Sequence, residues 1–393
     1  MKCRMKIGFF CFLVLSFSIE LAYPEELVLD GEMVQWVFET QQGLLTEIRY
    51  NQPQEDKYIF EPPCSLWELR GNGINLSAKT DSAVFSFTSD KDSWQFVWNG
   101  SAINNINEKK PWKVILNITK SAGDTLELSF SCNAPGLQLD EIVLPTIAGM
   151  NMDTSMHIVV PYWMGEIYDS EVYPERNTGF TGERGWEYPG TLSMQWIGVY
   201  NTNNRGIYLW IKDTQQNYKS VHVQGDGKRG GIEWRHLVSN PEETTYQLPY
   251  TVCLTGILGD WYDMAVHYRN WARQQSWALQ SRKAQQQIAP WVEDTALWVW
   301  NRTDSKKVLS PAIDLTKRLQ LPVSVLWHWW HGCAYDIGFP EYLPPREGQE
   351  SFSNALTEAR GKGVRALVYV NQRLWGTTTN SWKERKAEQF AVH

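Results

Sequence analysis

The hydrophobic period of this chain changes near Asp260, and that change limits the architectures open to it. From about Leu27 to Thr255 the apolar residues fall in short runs rich in Val, Ile, Phe, Tyr and Trp. These runs are Val34–Thr40, Leu44–Tyr50, Ala83–Thr88, Trp94–Trp98, Trp112–Thr119, Thr125–Cys132, Met194–Tyr200, Gly206–Lys212 and Tyr246–Leu254. Turn residues separate them, among them Gln41-Gln42-Gly43, Asn99-Gly100 and Ala122-Gly123-Asp124. Gly225-Asp226-Gly227 and Gly230-Gly231 mark a further hairpin. Many closely spaced strands without an intervening helical pattern predict an antiparallel β-sandwich over 27–255.

After Asp260 the spacing becomes helical. Trp261, Met264, Ala265, Tyr268 and Ala272 share one face, with Asp260 as N-cap, and the pattern extends to about Gln280. A polar, Gln-rich stretch, Ser281–Ala289, completes a connecting segment over 260–289. From Ala296 strands and helices alternate. Ala296–Trp300, Val323–Trp329 and Ala366–Asn371 read as strands buried on both faces, as in a parallel sheet. Ser310-Pro311 reads as the start of one intervening helix and Ser353 as the N-cap of the next. The 98 residues from 296 to 393 are far short of the roughly 250 that a (β/α)₈ barrel needs. At roughly 30 residues per βα repeat, they hold about three units. The expected fold is therefore a β-sandwich followed by the first three βα units of an incomplete TIM barrel. The polar, helix-like end, Trp382–Val392, reads as the edge of a fragment of a longer protein.

Charge and composition narrow the partners. The net charge is −7 and the pI about 5.6, so nothing marks a phosphate or nucleic-acid surface. Lys2, Arg4 and Lys6 followed by the apolar run Ile7–Ser18 read as a secretory signal peptide over 1–22. The expected location is secreted or periplasmic. Phe10 precedes Cys11 where a lipoprotein signal wants a small residue, and no later stretch is apolar enough for a membrane span. Cys64, Cys132, Cys253 and Cys333 remain; export permits disulfides, while four buried thiols are the plainer alternative.

The segment from Val323 to Trp375 concentrates the chemistry. Aromatic and hydrogen-bonding residues cluster where its strands end, the rim that binds ligands in parallel barrels. Indole faces beside His, Asp, Asn and Arg suit a sugar, which offers C–H faces for stacking and a rim of hydroxyls. With 21 Trp residues the chain is rich in such faces, though core packing is the default for any one of them. The candidate substrate-binding residues are Trp300, His328, His331, Asp336, Asn371, Arg373 and Trp375. His328 and His331 have an H-x-x-H spacing that can hold zinc, but a strand running into a loop frames it poorly. Asp336 is the sole further ligand in view, so no metal or cofactor is expected. Asp304, Asp336 and Glu341 are carboxylates in the loops after the first two strands, with no spacing that pairs them. Glu347 and Glu350 read as solvated. No nucleophile or general acid is assigned within the chain.

In order and spacing, "GDWYDMAVHYRNWARQQSW", "LWVWNR", "VLWHWWHGCAYDIGFPEYLPP" and "ALVYVNQRLWG" resemble the DUF6259 family. "YPGTLSMQWIGVY" and "RGIYLWIKD" upstream are similar to the same family's N-terminal region. The resemblance covers about residues 27 to 380. It implies a glycoside hydrolase related to the retaining α-galactosidase and α-glucosidase clan, cleaving with paired carboxylates. The family's Asp-bearing fourth barrel strand has no counterpart here, which places the catalytic residues beyond His393. The expected partner is a carbohydrate substrate; oligomeric state is left open. The competing expectations are a non-catalytic carbohydrate-binding protein and a metal-dependent barrel hydrolase.

Overall fold

The computed structural model describes residues 26–51, 56–104, 106–168, 180–240, 243–333, 337–371 and 373–391. The signal-like leader and Asp336 lie outside the described residues. The chain divides into two compact units, Met1–Ala278 and Leu279–His393.

Among its described residues the first unit holds three sheets, antiparallel throughout. A four-stranded meander runs from Glu26–Asp30 to Asp56–Cys64. A ten-stranded sheet has Arg205–Lys212, Thr251–Leu258 and Thr125–Asn133 as central neighbours. A six-stranded sheet is built around Lys219–Asp226, Arg229–Leu237 and Glu141–Asn151. Alternation is the driving force. Trp94, Phe96 and Trp98 point inward from Ser93–Ile103 and lie opposite Ile118, Leu116 and Val114 of Lys109–Ser121. All three sheets feed one core: Phe38 meets Phe96 edge-on at 5.3 Å, and Trp67 meets Trp98 at 5.4 Å.

Strand Arg205–Lys212 is buried on both faces. Ile207, Leu209 and Ile211 join that core, while Tyr208 and Trp210 face the other way. There the helix Trp261–Ala272 lays Met264 and Tyr268. Asp260 caps this helix in a reciprocal box with Asp263. A Cβ on Gly198 would stand 2.1 Å from the Met264 sulfur, so glycine is what lets helix and sheet approach. The helix stops at Ala272, short of the expected Gln280. The side-chain amides of Gln274 and Gln275 bond the carbonyls of Asn270 and Trp271, while their backbone amides tighten onto Trp271 and Ala272.

Among its described residues the second unit carries three strands in the order Leu297–Arg302, Val323–His328, Arg365–Val368, and both pairings are parallel. Helices Ser305–Leu319 and Gln349–Gly361 bridge them. Val308, Leu309, Ala312, Ile313 and Ala359 of these helices pack on Val323, Val325 and Trp327, so both helices cover the same sheet face. Only the middle strand approaches the expected two-sided burial. The opposite face carries Trp298, Trp300 and Leu367, exposed by 38, 56 and 43 %. In the described residues no second layer covers it and each outer strand has a single neighbour.

Both helices begin earlier than the sequence predicts. Asp304, not Ser310, is the first N-cap, accepting from the Lys307 amide at 3.0 Å. Pro311 therefore sits inside the helix, where its ring lacks the N–H that would bond the Lys307 carbonyl. The Asn301 side-chain amide occupies that carbonyl instead, at 3.1 Å. The second helix starts after Gly348, whose φ of +78° is open to glycine, rather than at Ser353. No described helix is long and apolar enough to cross a membrane. Among the described residues Cys64, Cys132, Cys253 and Cys333 form no disulfide, and the first three are buried; burial pushes Cys64 and Cys132 up to about 12.

Candidate functional site

Register builds the site. Arg302 lies opposite His328 and Trp300 opposite Leu326, so Trp300, Arg302 and His328 share the sheet face that the helices leave open. The His328 ring meets Trp300 at 5.1 Å and stacks on Tyr369 at 4.1 Å, nearly parallel at 12°. Tyr369 continues the third strand, its amide bonding the Trp327 carbonyl at 2.9 Å. The Arg302 guanidinium lies over two indoles, 5.4 Å from the Trp300 ring and 4.3 Å from that of Trp329. Both flanks of the cluster have unusual backbone: φ is +101° at Thr303 and +54° at Trp329. Trp327 Nε1 bonds the Thr303 carbonyl at 2.8 Å, and Arg346 Nε bonds the Trp329 carbonyl at 3.0 Å, which hold these turns in place.

The other candidates go elsewhere. His331 is fully buried, boxed by Trp330, Phe339 and Tyr342, with Nδ1 2.9 Å from the Cys333 sulfur. It anchors the loop from within instead of facing the open sheet. Asn371 organises a turn: its Oδ1 accepts from the amides of Arg373 and Leu374 at 2.8 Å, and its Nδ2 donates to the Tyr369 hydroxyl at 2.8 Å. The Tyr342 hydroxyl bonds the Asn371 carbonyl and amide at 2.7 and 2.6 Å, and burial pushes that phenol up. Asn371 thus touches the aromatic cluster through Tyr369. Arg373 is exposed. Trp375 is half-buried, bonds Ser381 Oγ at 3.1 Å and packs edge-on to Trp382. The structure brings Trp300 and His328 together and adds Arg302, Trp329 and Tyr369, which the sequence reading passed over. The Trp300-x-Arg302 alternation was a usable signal for one of them.

The described loop carboxylates are engaged at helix starts. Asp304 holds the Lys307 amide and, at 3.0 Å, its ammonium, which keep the carboxyl below its usual range. Glu347 accepts from Ser305 N and Oγ at 2.8 and 3.1 Å, so it is not the solvated residue expected. Glu341 accepts from the Ser381 amide at 2.9 Å, in the first turn of helix Asn380–Glu384. Among the described residues no three His, Cys, Asp or Glu side chains gather as metal ligands would.

Residues 246–393 match the DUF6259 family model. That family is described as a domain of unknown function, and the DUF6259 segment opens in the last strands of the first unit and runs through the whole of the second. A Bacteroides thetaiotaomicron protein named "Putative glycoside hydrolase" is 21% identical over 322 residues, which are 80% of this chain and 44% of that protein. Among solved structures, the α-N-acetylgalactosaminidase NagBb of Bifidobacterium bifidum superposes with a TM-score of 0.57 as a quadruple mutant. The identity is 11%, over 87% of this chain and 59% of that one. Its GalNAc complex gives 0.56 at 12% identity, over 88% and 58%. The chain therefore spans less than half the length of the Bacteroides relative and under three-fifths of NagBb. In sequence and in fold it is glycoside-hydrolase-like.

Proposed function

We propose that this chain is the leading part of an exported glycoside hydrolase. In this reading residues 27–255 are a β-sandwich, 260–289 a connecting helix and linker, and 296–393 the first three βα units of a (β/α)₈ barrel. One observation carries it: the uncovered face of the parallel sheet, with Trp300, His328 and Tyr369 gathered where the strands end. In parallel barrels that end holds the ligand and the opposite face meets the ring of helices. Aromatic rings beside hydrogen-bonding groups are what a sugar's C–H faces and hydroxyls require. The paired carboxylates of such an enzyme belong, in this proposal, to residues outside this chain. Two facts support that placement: Asp304, Glu341 and Glu347 are engaged at helix starts, and the chain spans about three-fifths of NagBb.

The test is an assay on aryl glycosides, with α-galactosides and α-N-acetylgalactosaminides first because NagBb acts on the latter by its name. The 393-residue chain should bind saccharide without turnover, and a polypeptide extended past His393 should hydrolyse. Turnover by this chain that disappears in Asp336→Asn would refute the placement. The same engaged carboxylates also favour a non-catalytic carbohydrate-binding protein. An extension with no Asp or Glu at its strand ends would select that reading. Export rests on the charged and apolar start; N-terminal sequencing of exported protein should begin near residue 22.

A further inference from the structure

An exposed arginine usually waves its guanidinium in water and loses rotamer entropy when it is fixed. Arg302 is exposed yet lies over two indoles, at 5.4 and 4.3 Å. Aromatic contacts over a guanidinium's faces do not use the N–H groups around its rim, the part that recognises planar anions. Among the described residues Arg302 forms no ion pair and its side chain donates no hydrogen bond. The described carboxylates Asp304 and Glu347 are engaged by Lys307 and Ser305. The backbone on both sides is held in costly conformations, φ +101° at Thr303 and +54° at Trp329, where non-glycine residues are uncommon. Strain of this kind persists where the surroundings fix a side chain for use.

We infer that the ligand of this site is a sugar bearing an anionic group, a carboxylate or a sulfate ester, and that Arg302 receives that group. The inference rests on the carbohydrate reading above and adds its substrate class. Trp300 and Trp329 lie against the guanidinium, and the His328–Tyr369 stack supplies the adjoining wall. A charge-assisted bidentate contact separates charged from neutral sugars, because a neutral hydroxymethyl group leaves the N–H rim unmatched.

The experiment titrates the full 393-residue chain with galactose, galacturonate and sulfated galactose, with inorganic sulfate alone as control, by calorimetry. At least one acidic sugar should bind roughly tenfold or more tighter than galactose, and added salt should weaken it. Galacturonate against sulfated galactose tells which anion is preferred. Arg302→Met should erase the preference and Arg302→Lys keep part of it, with thermal melting verifying that both variants fold. Equal affinity for charged and neutral sugars, unchanged in Arg302→Met, overturns the inference and leaves the carbohydrate reading standing. So does an acidic preference that survives Arg302→Met. Inorganic sulfate binding as well as the sugars would reduce the site to a simple anion site and overturn the sugar class. No binding to any sugar overturns both readings.

Discussion

Lys219 is the most exacting place to perturb the first unit. Its side chain is wholly buried, with Nζ 2.6 Å from Asp213 Oδ2, 3.0 Å from Gln195 Oε1 and 2.7 Å from the Asn217 carbonyl. The rings of Tyr188 and Tyr250 flank it at 4.8 and 4.7 Å. Burial by itself pushes the Asp213 carboxyl up, but hydrogen bonds from Lys219 and the Gln215 amide outweigh it and hold it low. Lys219→Met removes the cation and leaves a buried carboxylate. Deleting one partner of a buried pair costs about 3–5 kcal/mol. Three donors to Asp213 survive, Gln215 N, Asn217 N and Asn217 Nδ2 at 2.7–3.0 Å, so the low end applies, about 3 kcal/mol. That is a change of roughly 150-fold in the unfolding equilibrium. Adding Asp213→Asn should recover about 1–2 kcal/mol by removing the stranded charge. Urea unfolding, with hydrogen exchange on Lys219–Asp226 to isolate the first unit's transition, measures both. A loss below about 1 kcal/mol for Lys219→Met, or no recovery in the double variant, would show that the pair does not hold this region together.

His236 should make the first unit acid-sensitive. It is fully buried, its Nε2 bonds the Leu144 carbonyl and its Nδ1 the Tyr250 hydroxyl, and burial lowers it to about 4. The folded state thus favours the neutral ring: stability is complete above the unfolded value of about 6.5 and falls as pH drops toward 4, by about 3 kcal/mol in all. Urea midpoints should slope through that window in the parent protein and flatten in His236→Gln; parallel slopes would contradict it. Asn301→Ala leaves the exposed Lys307 carbonyl beside Pro311 to water and should cost no more than about 1 kcal/mol, read as a slightly lower melting temperature of the second unit. Trp300→Ala removes a ring that is 56 % exposed, so stability should hold within about 0.5 kcal/mol while saccharide affinity drops roughly tenfold. A large loss of stability instead would mark Trp300 as a packing residue.

The sequence showed the elements whose side chains alternate cleanly and hid those whose pairing does the work. Trp94, Phe96 and Trp98 announce their strand because every second residue is large and apolar. Glu141–Asn151 is absent from the strand runs read in the sequence, since Pro145 and Gly149 interrupt its alternation. It is nevertheless a bulged strand, its register shifting between Val143 and Thr146 against Arg229–Leu237. Thr181–Tyr188 is a mostly exposed outer strand of polar residues, held by pairing with Lys219–Asp226 rather than by burial. Pro311 misplaced a helix start because its usual position at a first turn is only a preference, and Asn301 repairs the bond it breaks. In the site, Trp300 and His328 were visible as residue types at a strand end. Which loop residues would turn inward was not. His331 and Asn371 look like ligand-binding residues in sequence, but a thiol, two tyrosines and two backbone amides engage them. The left-handed turn at Trp329, which swings its indole under Arg302, has no sequence signature.

The place where the DUF6259 match begins has a practical side. Residue 246 lies within the short strand Thr245–Gln247 of the first unit, and the next strand, Thr251–Leu258, is hydrogen-bonded along one edge to Arg205–Lys212 and along the other to Thr125–Asn133. Excising 246–393 as a module would strip that strand of both neighbours and bare Val252 and Leu254, which are fully buried in the intact chain. Such a piece would stick to itself through an unpaired ribbon and mislead any assay made on it. The boundary that respects the packing lies between Ala278 and Leu279, so the segment recognised by evolutionary likeness and the compact unit are different lengths of the same polypeptide.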